Sequence, residues 1–197
     1  MRSIDLGNPF LPSLDGLCEV LLVRHGEQQF RPNMPVADGV DAPLSELGQA
    51  QAVAVGERLA GTDIAAIYAS PLQRAHNTGL AIAAHHGLEV ELRSELEELN
   101  MFAQLPPDQG LLDSIGRDET LAIYREANRT NRWEAYTYSE PIEPFRQRVV
   151  ATIEAIIADH HGDRVVVACH GGVINTCLLY TSPSPRDATL SRMPSSA

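Results

Sequence analysis

Two strings 145 residues apart constrain this chain more than anything else in it: Leu22-Val23-Arg24-His25-Gly26-Glu27 and Val167-Ala168-Cys169-His170-Gly171-Gly172. Each sets a histidine just past an apolar, valine-rich run. Such runs read as parallel strands buried on both faces. In open α/β sheets ligands bind in the crevice at the carboxyl ends of the strands. Two strand-end histidines can therefore share one site. Arg24, beside the first, adds a permanent cation, and two imidazoles with a guanidinium suit a phosphate group.

The rest of the sequence alternates strand-like and helix-like patterns, which implies βαβ units around a mostly parallel sheet. Strands are expected over residues 18–23, 64–69, 164–168 and, briefly, 90–92. Residues 45–60 read as a helix with Ser45 as N-cap and Leu47, Val55 and Leu59 along it. Ser70-Pro71 supplies a cap followed by a proline suited to the first helical position, which places Arg74 about one turn into the next helix. Ile142, Phe145, Val149, Val150, Ile153, Ile156 and Ile157 keep helical spacing, so residues 141–160 form an amphipathic helix. Residues 100–140 show little clean periodicity and are expected to form a lid or substrate-contacting insert. The expectation is a single-domain three-layer α/β/α sandwich, and 197 residues suffice for one substantial core.

A formal net charge of −11 argues against nucleic acid and anionic membrane as partners. No apolar stretch reaches the roughly 18 residues of a membrane span. Residues 1–17 lack a continuous apolar segment and carry Pro9 and Pro12, so they are expected to be a loose arm and not a secretory signal. Cys18, Cys169 and Cys177 have neither metal nor disulfide spacing, which makes the reducing cytoplasm the expected location. His85-His86 and His160-His161 each precede a glycine, Gly87 or Gly162, at apparent helix ends, where they favour capping over metal binding.

With Ser70-Pro71-Leu72-Gln73-Arg74-Ala75 added to the two histidine strings, the chain resembles the histidine phosphatase (phosphoglycerate mutase-like) superfamily in its Arg-His-Gly branch. The resemblance implies that His25 is the histidine phosphorylated during turnover. It also implies that Arg24, Arg74 and His170 hold the phosphoryl group. An acidic residue is expected after the third strand. Within Leu96-Glu97-Glu98-Leu99 that slot falls on Glu98, with Glu95 and Glu97 as competitors. The chain departs from the family where a Gly-x-Trp-Glu-Gly string often follows; here Asn100-Met101-Phe102-Ala103-Gln104 stands instead.

The chemistry implied is attack by a neutral ring nitrogen of His25. Its other ring nitrogen is expected to donate to a backbone carbonyl near Gly26. Gln28 and Gly171 are expected to touch substrate, and residues 27–31 to form a pocket wall. Phe102, Trp133, Tyr136 and Tyr138 are candidates for an aromatic lid. Arg125, Arg129 and Arg132 are candidates for a second anion site or a solvated stripe. No metal or other cofactor is called for, because arginine and histidine supply the positive charge that metal ions give other phosphoryl-transfer sites.

The expected activity is hydrolysis of a small phosphomonoester. A mutase of the same family is the alternative, disfavoured by the absence of a basic insert with an Arg-Arg-Ser string. A non-catalytic phospholigand-binding module is the third reading. It would be expected to have lost one of Arg24, His25, Arg74 or His170. The substrate's identity and the oligomeric state are not legible.

Residues 177–187 and 191–197 read as frames of the transposase end and the distal end of a sequencing-library adapter, in that order. The expected organisation is therefore an arm over 1–17, the phosphatase domain over 18–176, and an adapter-derived tail over 177–197.

Overall fold

The computed structural model describes residues 14–181. Four strands, β1 (Glu19–Arg24), β2 (Ala66–Ala69), β3 (Val90–Leu92) and β4 (Arg164–Cys169), form one all-parallel sheet in the order β1-β4-β2-β3. The helices are α1 (Val36–Val40), α2 (Glu46–Leu59), α3 (Gln73–Ala83), α4 (Leu111–Ser114), α5 (Gly116–Thr130), α6 (Ile142–Asp159) and α7 (Gly171–Thr181).

Side chains alternate across a strand, so β4 feeds two cores at once. Val165, Val167 and Cys169 face Phe145, Val149, Ile153 and Ile156 of α6 and Val173 of α7. Val166 faces the opposite way, with Ile67, toward Leu59 of α2 and Ile82 of α3. The result is the expected three-layer α/β/α sandwich. None of the helices among the described residues is long and apolar enough to cross a membrane.

Register carries the strand ends to one place. Arg24 pairs with Cys169 and Ala69 with Ala168. One step further, His25 N donates to Cys169 O (3.0 Å) and Ser70 N to Ala168 O (3.1 Å). His25, His170 and Ser70 thus emerge side by side.

Three expectations about elements are corrected. The helix after β2 begins at Gln73, not at Pro71, and Ser70 is not its cap. Leu72 precedes the helix, and Asp41 Oδ1 accepts from Gln73 N (2.8 Å), so the cap comes from elsewhere in the chain. The segment 100–140 is not irregular: it contains α4 and the fifteen-residue α5. Only Thr120, Ile123 and Ala127 of α5 are buried, so the apolar stripe is too thin to read in sequence. Finally, α5 ends before Asn131 in the left-handed region, leaving Arg132 off the helix that carries Arg125 and Arg129.

Both histidine pairs lie at or beyond helix ends, before glycines with φ of +66° and +91°. Helix α7 continues across the expected boundary after Thr176, and Cys177 packs into the core below Val173. The remainder of the expected tail, residues 182–197, and most of the N-terminal arm lie outside the described residues.

Candidate active site

The turn after β1 is shaped by contact with α2. A Cβ on Gly26 would collide with the Gly48 carbonyl oxygen, and one on Gly48 with the Glu27 carbonyl oxygen. Two glycines let the loop and the helix touch backbone to backbone. Ser45 caps α2 as expected, accepting from Gly48 N (3.0 Å), and donates its own proton to Glu27 Oε1 (2.7 Å). On the other side Gly26 N donates to Thr78 Oγ1 (3.3 Å), and that hydroxyl donates to Arg74 O (2.8 Å). The His25 turn is therefore locked to α2 and α3.

His25 Nδ1 lies 2.6 Å from Gly26 O. A carbonyl only accepts, so the proton sits on Nδ1 and Nε2 keeps its lone pair. Arg74 Nε donates to that Nε2 at 3.2 Å, and Arg74 Nη1 donates to Val40 O at 2.6 Å. Burial, opposed by the Gly26 hydrogen bond and reinforced by Arg74 and Arg24, lowers the His25 pKa to about 4. The ring is neutral at physiological pH.

The His170 ring lies 5.0 Å from that of His25, centroid to centroid. Its Nε2 is 2.9 Å from Ser70 Oγ, while its Nδ1 is buried with no hydrogen-bond partner among the described residues. Burial first, then Arg74, His25 and Arg24, push the His170 pKa down to about 2. An orphaned buried polar atom carries a desolvation cost of about 1–3 kcal/mol until something bonds to it.

Glu98 reaches the same place from the loop after β3. Gly172 N donates to both of its carboxylate oxygens at 3.1 Å, and Leu99 N donates to Oε1 at 3.0 Å. The approach to Gly172 depends on a missing side chain, because a Cβ there would overlap Oε1. The carboxylate sits at the N-terminus of α7, where the helix dipole favours negative charge. Burial nevertheless outweighs those hydrogen bonds and the pull of Arg74 and Arg24, so its pKa is raised. The competitors Glu95 and Glu97 have no hydrogen bond to Gly171 or Gly172 like that of Glu98; their backbone carbonyls accept from Arg148.

Arg24, at the end of β1, is exposed, and it acts on His25, His170, Arg74 and Glu98 through its charge. Gly171, the first residue of α7, lies between Arg24 and Glu98: a Cβ there would be 3.9 Å from Arg24 Nε and 3.9 Å from Glu98 Oε2. Gln28 lines a cleft of about 490 Å³ with Glu27, Gln29, Phe30, Arg31 and Ser45. Phe30 is 76% exposed there.

The aromatic candidates divide. Phe102 and Tyr136 pack edge-on with Tyr124 in a satellite cluster, with Tyr138 against it. Trp133 instead packs on Phe145 in the main core and is no lid residue. Arg129 is bound to Glu126 (2.7 Å), and Arg125 is exposed. Among the described residues no group of His, Cys, Asp and Glu is arranged to hold a metal ion. Sequence reasoning missed Ser70 as the His170 partner, Thr78 as the lock on the His25 turn, and Arg148. Nothing but three-dimensional contact marks any of the three.

The profile of the histidine phosphatase superfamily (branch 1) matches residues 20–193. Phosphoglycerate mutase-like protein 4 of Arabidopsis thaliana is 31% identical over 182 residues, covering 85% of this chain and 73% of that protein. The metal-independent phosphoserine phosphatase of the same plant is 32% identical over 164 residues, covering 82% and 67%. Among solved structures, a mycobacterial glucosyl-3-phosphoglycerate phosphatase in complex with VO3 is similar with a TM-score of 0.67 and 27% identity, covering 84% of this chain and 82% of that one. With the profile spanning most of its length, the chain belongs to the histidine phosphatase superfamily.

Proposed function

We propose that the protein is a phosphomonoesterase that works through a phosphohistidine on His25 without a metal ion. One observation carries the reading: an Nδ1-protonated His25 presents its Nε2 lone pair beside Arg74 and next to His170, whose buried Nδ1 has no partner among the described residues. An incoming phosphoryl group satisfies that Nδ1 and takes over the Arg74 hydrogen bond. With Ser70 O–H donating to Nε2, neutral His170 carries its proton on Nδ1 and donates it toward a phosphoryl oxygen. Arg24 and Arg74 balance the remaining equatorial charge.

In the first step His25 Nε2 forms the N–P bond as the ester P–O bond breaks. Glu98, kept protonated more readily by its burial, gives its proton to the leaving oxygen, and an alcohol departs. In the second step water attacks phosphorus, Glu98 takes its proton, the N–P bond breaks and inorganic phosphate leaves. The relatives named as phosphatases favour water over a second substrate hydroxyl as the acceptor. Free thiols at Cys18 and Cys169 fit action in the reducing cytoplasm.

Brief exposure to a ³²P-labelled ester is expected to leave an acid-labile, base-stable phosphoryl group on the protein, absent from His25→Ala. Turnover is expected to persist in excess EDTA. Label retained by His25→Ala removes the nucleophile assignment; loss of turnover with EDTA, restored by a divalent ion, removes metal independence.

A further inference from the structure

The Glu98 carboxylate sits on a loop, and a loop by itself does not hold an acid to the tolerance proton transfer needs. Leu96 and Leu99 anchor this loop in the main core, and a guanidinium from α6, with Glu140, ties its backbone on either side of Glu98. Arg148 Nη1 donates to Glu95 O (2.7 Å) and to Glu97 O (3.0 Å), carbonyls three residues and one residue before Glu98. Arg148 Nη2 donates to Glu140 Oε1 (3.2 Å), and the same oxygen accepts from Asn100 N (2.8 Å), two residues after Glu98. Glu140 N in turn donates to Asn100 O (2.9 Å). Both flanks of Glu98 are thus tied to one pair of side chains, Arg148 directly on one side and through Glu140 on the other.

The Arg148 side chain is itself well founded. The Arg148 guanidinium lies over the Phe145 ring, 4.8 Å from its centroid, and Phe145 and the neighbouring Val149 are fully buried in the main core. Its fork serves three acceptors from one rigid plane, a geometry that lysine does not reproduce. The hydrogen bonds of Arg148 go to the loop and to Glu140, and it reaches His170 only through its charge.

We propose that Arg148, with Glu140, is the positioning residue for Glu98, and that the core of α6 thereby sets the aim of the general acid. This rests on Glu98 being the acid. The test compares the rate of phosphoenzyme formation from an alkyl phosphate, whose alkoxide needs a proton, with that from p-nitrophenyl phosphate, whose phenolate leaves without one.

Arg148→Met keeps the apolar stem over Phe145 and deletes the fork. It is expected to slow the alkyl ester by about 10- to 100-fold, the scale of an ångström-sized misplacement, and the nitrophenyl ester by less than about threefold on the same scale. In a Glu98→Gln background the Arg148→Met change is expected to add nothing on the alkyl ester, since two residues serving one proton transfer do not act independently. Arg148→Lys is expected to recover part of the loss. If Arg148→Met fails to fold, Glu140→Gln provides the milder break and should show the same ester selectivity at smaller size.

Equal losses on both esters, or losses that multiply in the double variant, overturn the positioning role. A selective Glu98→Gln beside an unselective Arg148→Met sinks this inference alone. An unselective Glu98→Gln sinks the assignment of the acid and this inference with it.

Discussion

The two halves of the candidate site are held by different means. His25, His170 and Ser70 stand one residue past strand ends, and the hydrogen-bonded register of β1, β4 and β2 sets their spacing. Glu98 stands on a loop that the Arg148 fork and the Glu140 carboxylate tie down, and its carboxylate is met by a backbone N–H at the start of α7. Ladder register is shared by many backbone bonds and yields only where a substitution displaces the turn that follows it. A clamp centred on one guanidinium is open to a single side-chain change. The nucleophilic half is therefore expected to be robust and indifferent to the leaving group, and the acid half to be adjustable and sensitive to it.

Short of removing the nucleophile itself, the largest effect should come from the acid half. Glu98→Gln is expected to slow phosphoenzyme formation from alkyl phosphates by about 10² to 10⁴, the usual worth of general acid catalysis, and to change p-nitrophenyl phosphate much less. The pH profile of kcat/KM sharpens this. His25 must be unprotonated to attack, so the acid limb should fall as pH drops through about 4. Glu98 must be protonated to donate, so the alkaline limb for alkyl esters should reflect its raised pKa and vanish in Glu98→Gln. Retention of that limb in the variant would assign it to another group.

The same His25 shift has a consequence for stability. With its folded pKa below the ordinary 6.5, the unfolded chain binds more protons between those values, so acidification from 6.5 toward 4 should lower stability.

A break in the register-held half should look different. Gly26→Ala drives a Cβ into the Gly48 carbonyl and must displace the His25 turn. The expected loss is about 10²-fold, typical of a nucleophile moved by an ångström, and equal for alkyl and nitrophenyl esters in single-turnover assays. Selectivity between the esters would mean that the two halves are coupled after all.

The smallest effect falls on the partner of the second histidine. Ser70→Ala leaves His170 Nε2 buried without its hydroxyl. A lost partner of that kind costs about 1–3 kcal/mol, or roughly 5- to 150-fold, with the lower end expected here if Nδ1, as proposed, still donates to the phosphoryl group. Weaker binding of vanadate or inorganic phosphate, read by calorimetry, is the check. Unchanged affinity would show that Ser70 does not orient the ring.

Much of the fold was readable because strand and helix periods are local. The runs ending at Val23, Ala69 and Ala168 and the stripe from Ile142 to Ile157 each produced the expected element within a residue or two. Ser70-Pro71 misled because its local signal is a helix start, while burial spends the serine on a histidine 100 residues away and leaves the capping to Asp41. Helix α5 escaped because three buried residues in fifteen leave a faint period. Its reality comes from packing against the Phe102 cluster.

What the sequence determined by itself was the inventory: two histidines and a pair of arginines, each tied to a strand end or a helix start. Such positions follow from local alternation and short-range turn chemistry. Only the tertiary structure decided which nitrogen of His25 keeps its lone pair, that Ser70 meets Nε2 of His170, and that of the three neighbouring glutamates Glu98 bonds to Gly172. It also decided that a guanidinium on α6 holds that glutamate's loop. Those outcomes depend on the order β1-β4-β2-β3 and on contacts across 50 to 100 residues, and no local pattern encodes the distance between residues so far apart.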